Sequence, residues 1–338
     1  MILNTLNIKK GRLICLFFVL FFLGCGPKSK EVTQEYKLVG NALGTTYHIT
    51  YLGNQIGDLQ GLIDSVIGEF NYGVSTYDGN SFISHYNGNK PLHVDDLQPG
   101  YQYFDKMISL SLPIVEATYG AFDPSAARLF GVYDAAKREK RFMDSAVVVE
   151  ALSNKGLESV QFDSDGNMQN PRLKQMNFNA IAKGYFVDLL AAILEDHDVV
   201  HYMVEVGGEV HCKGNNSSGT AWNIGINRPE PGAMPTDYFE VISLSDQSMA
   251  TSGNYQNYYV VNDSVIGHTL DPRSGKPVIS DLKSATIIHS ECAIADAYAT
   301  ACMVLGLEES IKMIEADSSL SAFFIYEKDQ KLIGKHVK

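Results

Sequence analysis

The chain has 338 residues, 45% of them hydrophobic, with 27 Lys and Arg against 39 Asp and Glu and a formal net charge of −12. That length supports a sizeable core in one large domain or two intimate subdomains. The acidic balance argues against nucleic acid or an anionic lipid surface as a partner, and an anionic ligand would need local help from a cation or from backbone N–H groups.

The N-terminus reads as a targeting segment. Lys9, Lys10 and Arg12 precede an unbroken apolar run over 13–23, which has the length of a signal-peptide core and is short for a membrane span. The run ends in Phe22-Leu23-Gly24-Cys25, which resembles a bacterial lipobox, with Phe22 where Leu is usual. The expected organisation is a signal peptide over 1–24, a Cys25-lipidated N-terminus and tether over 25–37, and a folded domain over 38–338. An uncleaved anchor helix is the alternative, and either way the bulk of the chain lies outside the cytoplasmic membrane. Removing residues 1–24 takes away three basic residues and no acidic one, leaving 24 basic against 39 acidic and a net charge of −15. Cys212, Cys292 and Cys302 then remain, with no Cys-x-x-Cys and an odd count for a disulfide framework.

In chain order, residues 45–51 alternate as a strand. Residues 56–70 carry Ile56, Leu59, Ile63, Val66, Ile67 and Phe70 at helical spacing, and 101–118 is helical with Pro113 expected to kink or divide it. Residues 180–194 place Ile181, Tyr185, Leu189 and Ile193 on one helical stripe, with Asn179 as the N-cap. Strands are expected over 202–206, 222–226, 239–244, 258–261, 265–270 and 285–289, with a turn at Asn262-Asp263-Ser264 and a Pro/Gly loop over 229–235. Strands in runs and helices in separate blocks indicate an α+β fold with mainly antiparallel sheet.

Several segments carry candidate chemistry. Ala295-Asp296-Ala297-Tyr298-Ala299-Thr300 reads as an Ala-rich helix stopped by Gly306, and the spacing of four puts the Asp296 carboxylate and Thr300 hydroxyl on one face. Two oxygen ligands among small neighbours suit a hard cation such as Mg²⁺; a surface Asp and a self-bonded Thr are the plain alternative. Lys183 falls in a first helical turn, where the dipole disfavours a cation unless an anion is also there. Gly120-Ala121-Phe122-Asp123-Pro124 is a turn bearing a carboxylate. Glu205-Val206-Gly207-Gly208-Glu209 leaves a strand through two glycines, as a close-approach site or a bulge. Thr251-Ser252-Gly253 offers a hydroxyl pair, for a phosphate or for a turn. The segment 267–275 gathers His268, Asp271 and Arg273 at a strand end, as a site or as an Asp–Arg turn clamp.

Taken in order, these pieces resemble the ApbE-like FAD:protein FMN transferases, from Leu43-Gly44-Thr45-Thr46-Tyr47 and Ser75-Thr76-Tyr77, through Gly120 to Pro124, Ala180 to Gly184, Val206-Gly207-Gly208 and Ala250 to Gly253, to the 268–275 and 295–300 segments. The resemblance implies a T-fold-related architecture and Mg²⁺-dependent transfer of FMN from FAD to a Thr or Ser hydroxyl of a partner protein, with AMP leaving. It assigns Mg²⁺ to Asp296, Thr300 and the backbone carbonyl of Ala180. Tyr77 and Leu43 would contact the flavin, with Leu43 standing where Met is usual. Ala121, Phe122 and Asp123 would hold the adenosine end, and Lys183, Leu270 and His268 would lie by the phosphates or the nucleotide. Asn177 stands where an Asp often bonds the nucleotide, and Ala299 where some relatives add an acidic metal ligand. Asp296 and His268 are the candidate bases. The implied acceptors are subunits of Nqr- or Rnf-type membrane redox complexes, met by a lipoprotein facing the periplasm. An FAD pyrophosphatase giving FMN and AMP, and a non-catalytic flavin-binding lipoprotein, are the alternatives.

Overall fold

The computed structural model describes residues 34–158, 160–170, 172–230, 232–234, 236–253, 258–261, 264–267 and 269–338. The signal segment, Cys25, His268 and the turn residues 262 and 263 therefore lie outside the described residues.

The fold starts with a tight hairpin. Strand β1 (Gln34–Ala42) pairs antiparallel with β2 (Thr45–Gly53), so residues 34–37, expected in the tether, are already sheet. Helix α1 (Leu59–Val74) begins three residues later than its apolar pattern suggests, because the Asp58 side chain accepts the Gly61 N–H and caps it. A short α2 (Phe82–Asn87) leads to α3 (Tyr101–Ala117), which runs through Pro113 undivided. Pro113 and Ser109 are both exposed, so the Ser109 carbonyl that loses its ladder partner faces solvent. Helices α4 (Ala127–Glu139) and α5 (Ser145–Ser153) and the small hairpin of β3 (Gln161–Phe162) and β4 (Met168–Gln169) follow.

Helix α6 (Ala182–Asp196) corrects two expectations. Its N-cap is Ile181, not Asn179, which lies outside the helix and gives its N–H to the Asn177 side chain. Its most buried side chains include Phe186, Val187, Leu190 and Leu194, while Tyr185, Leu189 and Ile193 are only partly buried. The helix is packed on several sides, so a single stripe under-describes it.

Strands β5 (His201–Val206), β6 (Glu209–Lys213), β7 (Trp222–Asn227), β8 (Tyr238–Leu244), β9 (Gln247–Gly253), β10 (Tyr258–Val261), β11 (Ser264–Gly267) and β12 (Leu282–His289) come next. The chain ends in α7 (Cys292–Leu305), α8 (Leu307–Glu315), β13 (Ser321–Lys328) and β14 (Lys331–Val337). Among the described residues the main sheet has eight strands in the order β1-β2-β5-β6-β9-β12-β13-β14, antiparallel throughout. This is the expected α+β arrangement, and residues 33–338 form one compact unit.

Alternation along the strands gives the sheet two buried faces. In β13, Ala322 and Phe324 join the helical core with Phe186 and Leu190, while Phe323 and Ile325 point the other way to meet Trp222, Ile226 and Leu244 of the β7–β8 hairpin. Helix α7 is buried along most of its length, and its alanines at 293, 295, 297, 299 and 301 let it lie between the sheet and α6. Cys212, Cys292 and Cys302 are free thiols in the interior.

Candidate active site

The site is built where α6 and α7 begin, and each helix caps the other. Asp188 of α6 accepts the Cys292 and Ala293 N–H groups at 2.8 and 2.9 Å, and Asp296 of α7 accepts the Gly184 N–H at 3.0 Å. Neither helix has a side-chain bond from its own N-cap residue, so the two carboxylates do that work from across the interface. Gly184 permits the approach, since a Cβ there would lie 2.4 Å from Cys292 O. The anion required beside Lys183 at this helix start is thus, in part, the protein's own Asp296.

Lys183 pairs with Glu209, the first residue of β6. The Gly207-Gly208 turn sets Glu209 in place: both glycines have positive φ, and Val206 pairs directly with Glu209, so the segment is a two-residue hairpin and not a bulge. Glu209 is 2% exposed, and its Oε2 has no hydrogen-bond partner among the described residues. Burial, then repulsion from Asp296, pushes Glu209 above the ordinary carboxylate range, against the pull of the Lys183 ammonium that pairs with it. Burial also lifts Asp296 above the ordinary carboxylate range, opposed by Lys183 and the Gly184 N–H. Desolvation works against the Lys183 ammonium, but Asp296 and Glu209 outweigh it and keep it protonated.

Of the expected metal ligands, Asp296 and Thr300 lie one turn apart on α7, and Ala180 lies just before the α6 N-cap. Asp296 is 4% exposed, and its Oδ1 accepts no hydrogen bond from a described residue. Ala180 precedes the Ile181 N-cap, so its carbonyl lies outside the helical ladder, while the first-turn Gly184 N–H goes to Asp296. Thr300, one turn beyond Asp296, meets the Ser252 hydroxyl at 3.4 Å. Ser252 and Thr251 are therefore strand residues of β9, not a turn. Among the described residues no group of three or more His, Cys, Asp and Glu side chains gathers as a metal cage. A hard cation here would rest on one carboxylate and neutral oxygens, and the donor chemistry fits Mg²⁺ completing its shell on a ligand's oxygens.

Leu43 and Gly44 form the β1–β2 turn, both at positive φ, and line a pocket of about 530 Å³ with Thr45, Thr46, Ile67 and Asn71. This turn adjoins the Gly207 turn, whose N–H donates to Thr46 O at 3.1 Å, so the pocket and the Lys183–Glu209 pair share one end of the sheet. Tyr77 is 88% exposed, an aromatic face held toward solvent.

At the expected adenosine end, Ala121 and Phe122 are buried and Asp123 is engaged. Asp123 Oδ1 accepts the Ser125 N–H and hydroxyl at 3.0 and 2.5 Å, and Oδ2 accepts Lys155 Nζ at 3.0 Å. Asn177 donates its N–H to Pro124 O at 2.9 Å, which ties this turn to the segment entering α6. Leu270 packs with Ala126 and Leu129. Asp271 and Arg273 form a two-bond clamp at 2.8 and 3.0 Å, the structural alternative for that segment.

A family model described as the ApbE family matches residues 43–324. The chain belongs to the ApbE family. A curated FAD:protein FMN transferase of Vibrio cholerae is 29% identical over 316 residues, covering 90% of each chain. The protein of that name in Escherichia coli K12 is 26% identical, covering 92% of this chain and 91% of its own. Among solved structures, the apo flavinyl transferase ApbE of Pseudomonas stutzeri matches with a TM-score of 0.75 at 27% identity, covering 90% of this chain and 95% of its own. The flavin transferase ApbE of Vibrio cholerae matches with a TM-score of 0.74 at 27% identity, covering 90% and 98%.

Two residues of this ApbE-family site carry no role in the sequence reading. Glu209 sits inside the Gly-Gly segment, and its signal is an acid opening a strand whose next residue, Val210, is also buried. Asp188 is an Asp in a helix interior, a poor helix former flanked by Val187 and Leu189 and so a marker of a side chain with a partner.

Proposed function

We propose that the protein transfers FMN from FAD to a Thr or Ser hydroxyl of a partner protein, forming a phosphoester and releasing AMP. The observation that carries this reading is the meeting of Asp296 and Lys183 at the α6 start, with Thr300 one turn beyond Asp296 on α7. It occurs in a chain that aligns over nine-tenths of its length with proteins named FAD:protein FMN transferase. In the step, the acceptor oxygen bonds to the FMN phosphorus, the anhydride bond to the AMP phosphate breaks, and the hydroxyl proton passes to a base. Lys183 would sit beside the phosphates and neutralise charge growing on the departing AMP. Asp296, whose burial raises its proton affinity, and His268 are the candidate bases. Mg²⁺ held by Asp296, Thr300 and Ala180 O would neutralise the pyrophosphate and favour the leaving group.

Leu43 and the exposed Tyr77 would take the flavin. Ala121, Phe122, Asp123, Asn177 and Leu270 would frame the nucleotide end, with Asp123 held in position by Lys155. Asn177 can donate as well as accept, so it can bond a nucleotide where an Asp would only accept. Cys25 would carry a lipid that holds the enzyme at the envelope membrane, facing acceptor subunits of Nqr- or Rnf-type complexes.

Incubation with FAD, Mg²⁺ and an acceptor domain tests the activity. Flavin fluorescence on the denatured acceptor together with released AMP is the expected result. Free FMN and AMP with an unlabelled acceptor would mean hydrolysis, and intact FAD would mean binding alone.

A further inference from the structure

The α6 start holds two buried carboxylates and one ammonium. Lys183 pairs with Glu209 and forms no ion pair with Asp296, although all three groups interact. Glu209 cannot move away from this arrangement: the Gly207-Gly208 hairpin fixes its backbone, and its side chain is 3% exposed. Among the described residues its second oxygen is buried with no hydrogen-bond partner, a costly state for any polar atom and one that a structural ion pair alone would not require. Lys183 has a four-carbon stem and a partly exposed side chain, so of the three its ammonium is the one with the reach to change partner.

We propose that Glu209 is a positioning residue that holds the Lys183 ammonium away from Asp296 and so keeps Asp296 open to a divalent cation. Without Glu209, Lys183 would turn to the remaining carboxylate of the cluster and compete with the cation for it. The inference rests on the reading of Asp296 as a cation ligand and adds what controls its occupancy. Glu209 then acts through Lys183, not by touching the cation or substrate.

Mn²⁺ binding to the substrate-free protein, read by water-proton relaxation, tests this with a double-mutant cycle and no turnover. In Glu209→Gln, Mn²⁺ affinity should fall about tenfold, equivalent to ~1.4 kcal/mol. Lys183→Met should bind Mn²⁺ at least as tightly as wild type. The pair of substitutions together should restore wild-type affinity, which a direct Glu209 ligand would not allow. Unchanged affinity in Glu209→Gln, or a double variant as weak as Glu209→Gln, overturns the proposal while leaving the cation reading intact. Asp296→Asn should abolish binding, and if it does not, the cation reading fails and the proposal with it. Circular dichroism melts of all four variants check that each is folded.

Discussion

The Asp296 carboxylate accepts the backbone N–H of Gly184, 112 residues earlier in the chain, at 3.0 Å. That bond and its counterpart from Asp188 to the start of α7 lock two helix N-termini face to face. The same carboxylate that caps α6 is the one proposed to hold the cation, so the helix interface and the site stand or fall together.

Gly184→Ala tests this dependence. The added methyl would lie 2.4 Å from Cys292 O and 2.8 Å from Asp296 Cβ, contacts that force the helices apart. The variant should lose on the order of 2 kcal/mol of stability, read by denaturant unfolding. Its FMN transfer should fall more than its stability explains, because Asp296 moves with the backbone.

The pH dependence of stability should carry the mark of Asp188. Burial, outweighing two N–H donors, raises its pKa from 3.8 to about 7. The folded state therefore binds this proton more tightly than the unfolded chain. Stability is greatest below the unfolded value, falls as pH rises through that window and levels off above about 7. Asp188→Asn should show a smaller fall between about pH 4 and about pH 7 in denaturant midpoints. An unchanged slope would remove Asp188 from the list of groups responsible.

Much of this was legible in the sequence, for physical reasons. The 45–51 alternation and the 295–300 alanines encode burial directly, and Gly306, at φ 78, is the helix stop it was read to be. The partner of a carboxylate is another matter. Asp188 and Asp296 each cap a helix that is distant in sequence, which no local pattern records. Asn179 has the right chemistry for an N-cap, but the Ile181 and Ala182 N–H groups it would have served go to Phe178 O. Glu209 carries no local signal of its role because its partner Lys183 lies 26 residues upstream, across a helix and a strand.

Leu43 separates fold from binding. It sits at φ 51, which costs a Leu side chain about 1 kcal/mol, in a two-residue turn that favours Asn-Gly. Leu43→Asn should raise the melting temperature slightly, by the equivalent of ~0.5–1 kcal/mol. It should also weaken FAD binding, measured by fluorescence titration, because an apolar side chain leaves the pocket. Unaltered FAD affinity would take Leu43 out of the flavin site.

The role of Asp296 is tested most directly by intact-protein mass spectrometry of an acceptor domain incubated with FAD, excess Mg²⁺ and either wild type or Asp296→Ala. Wild type should add the mass of one FMN less one water to a single Thr or Ser, and Asp296→Ala should leave the acceptor unmodified while remaining folded. Modification by Asp296→Ala at the wild-type rate would contradict the assignment of Asp296 as the centre of the site.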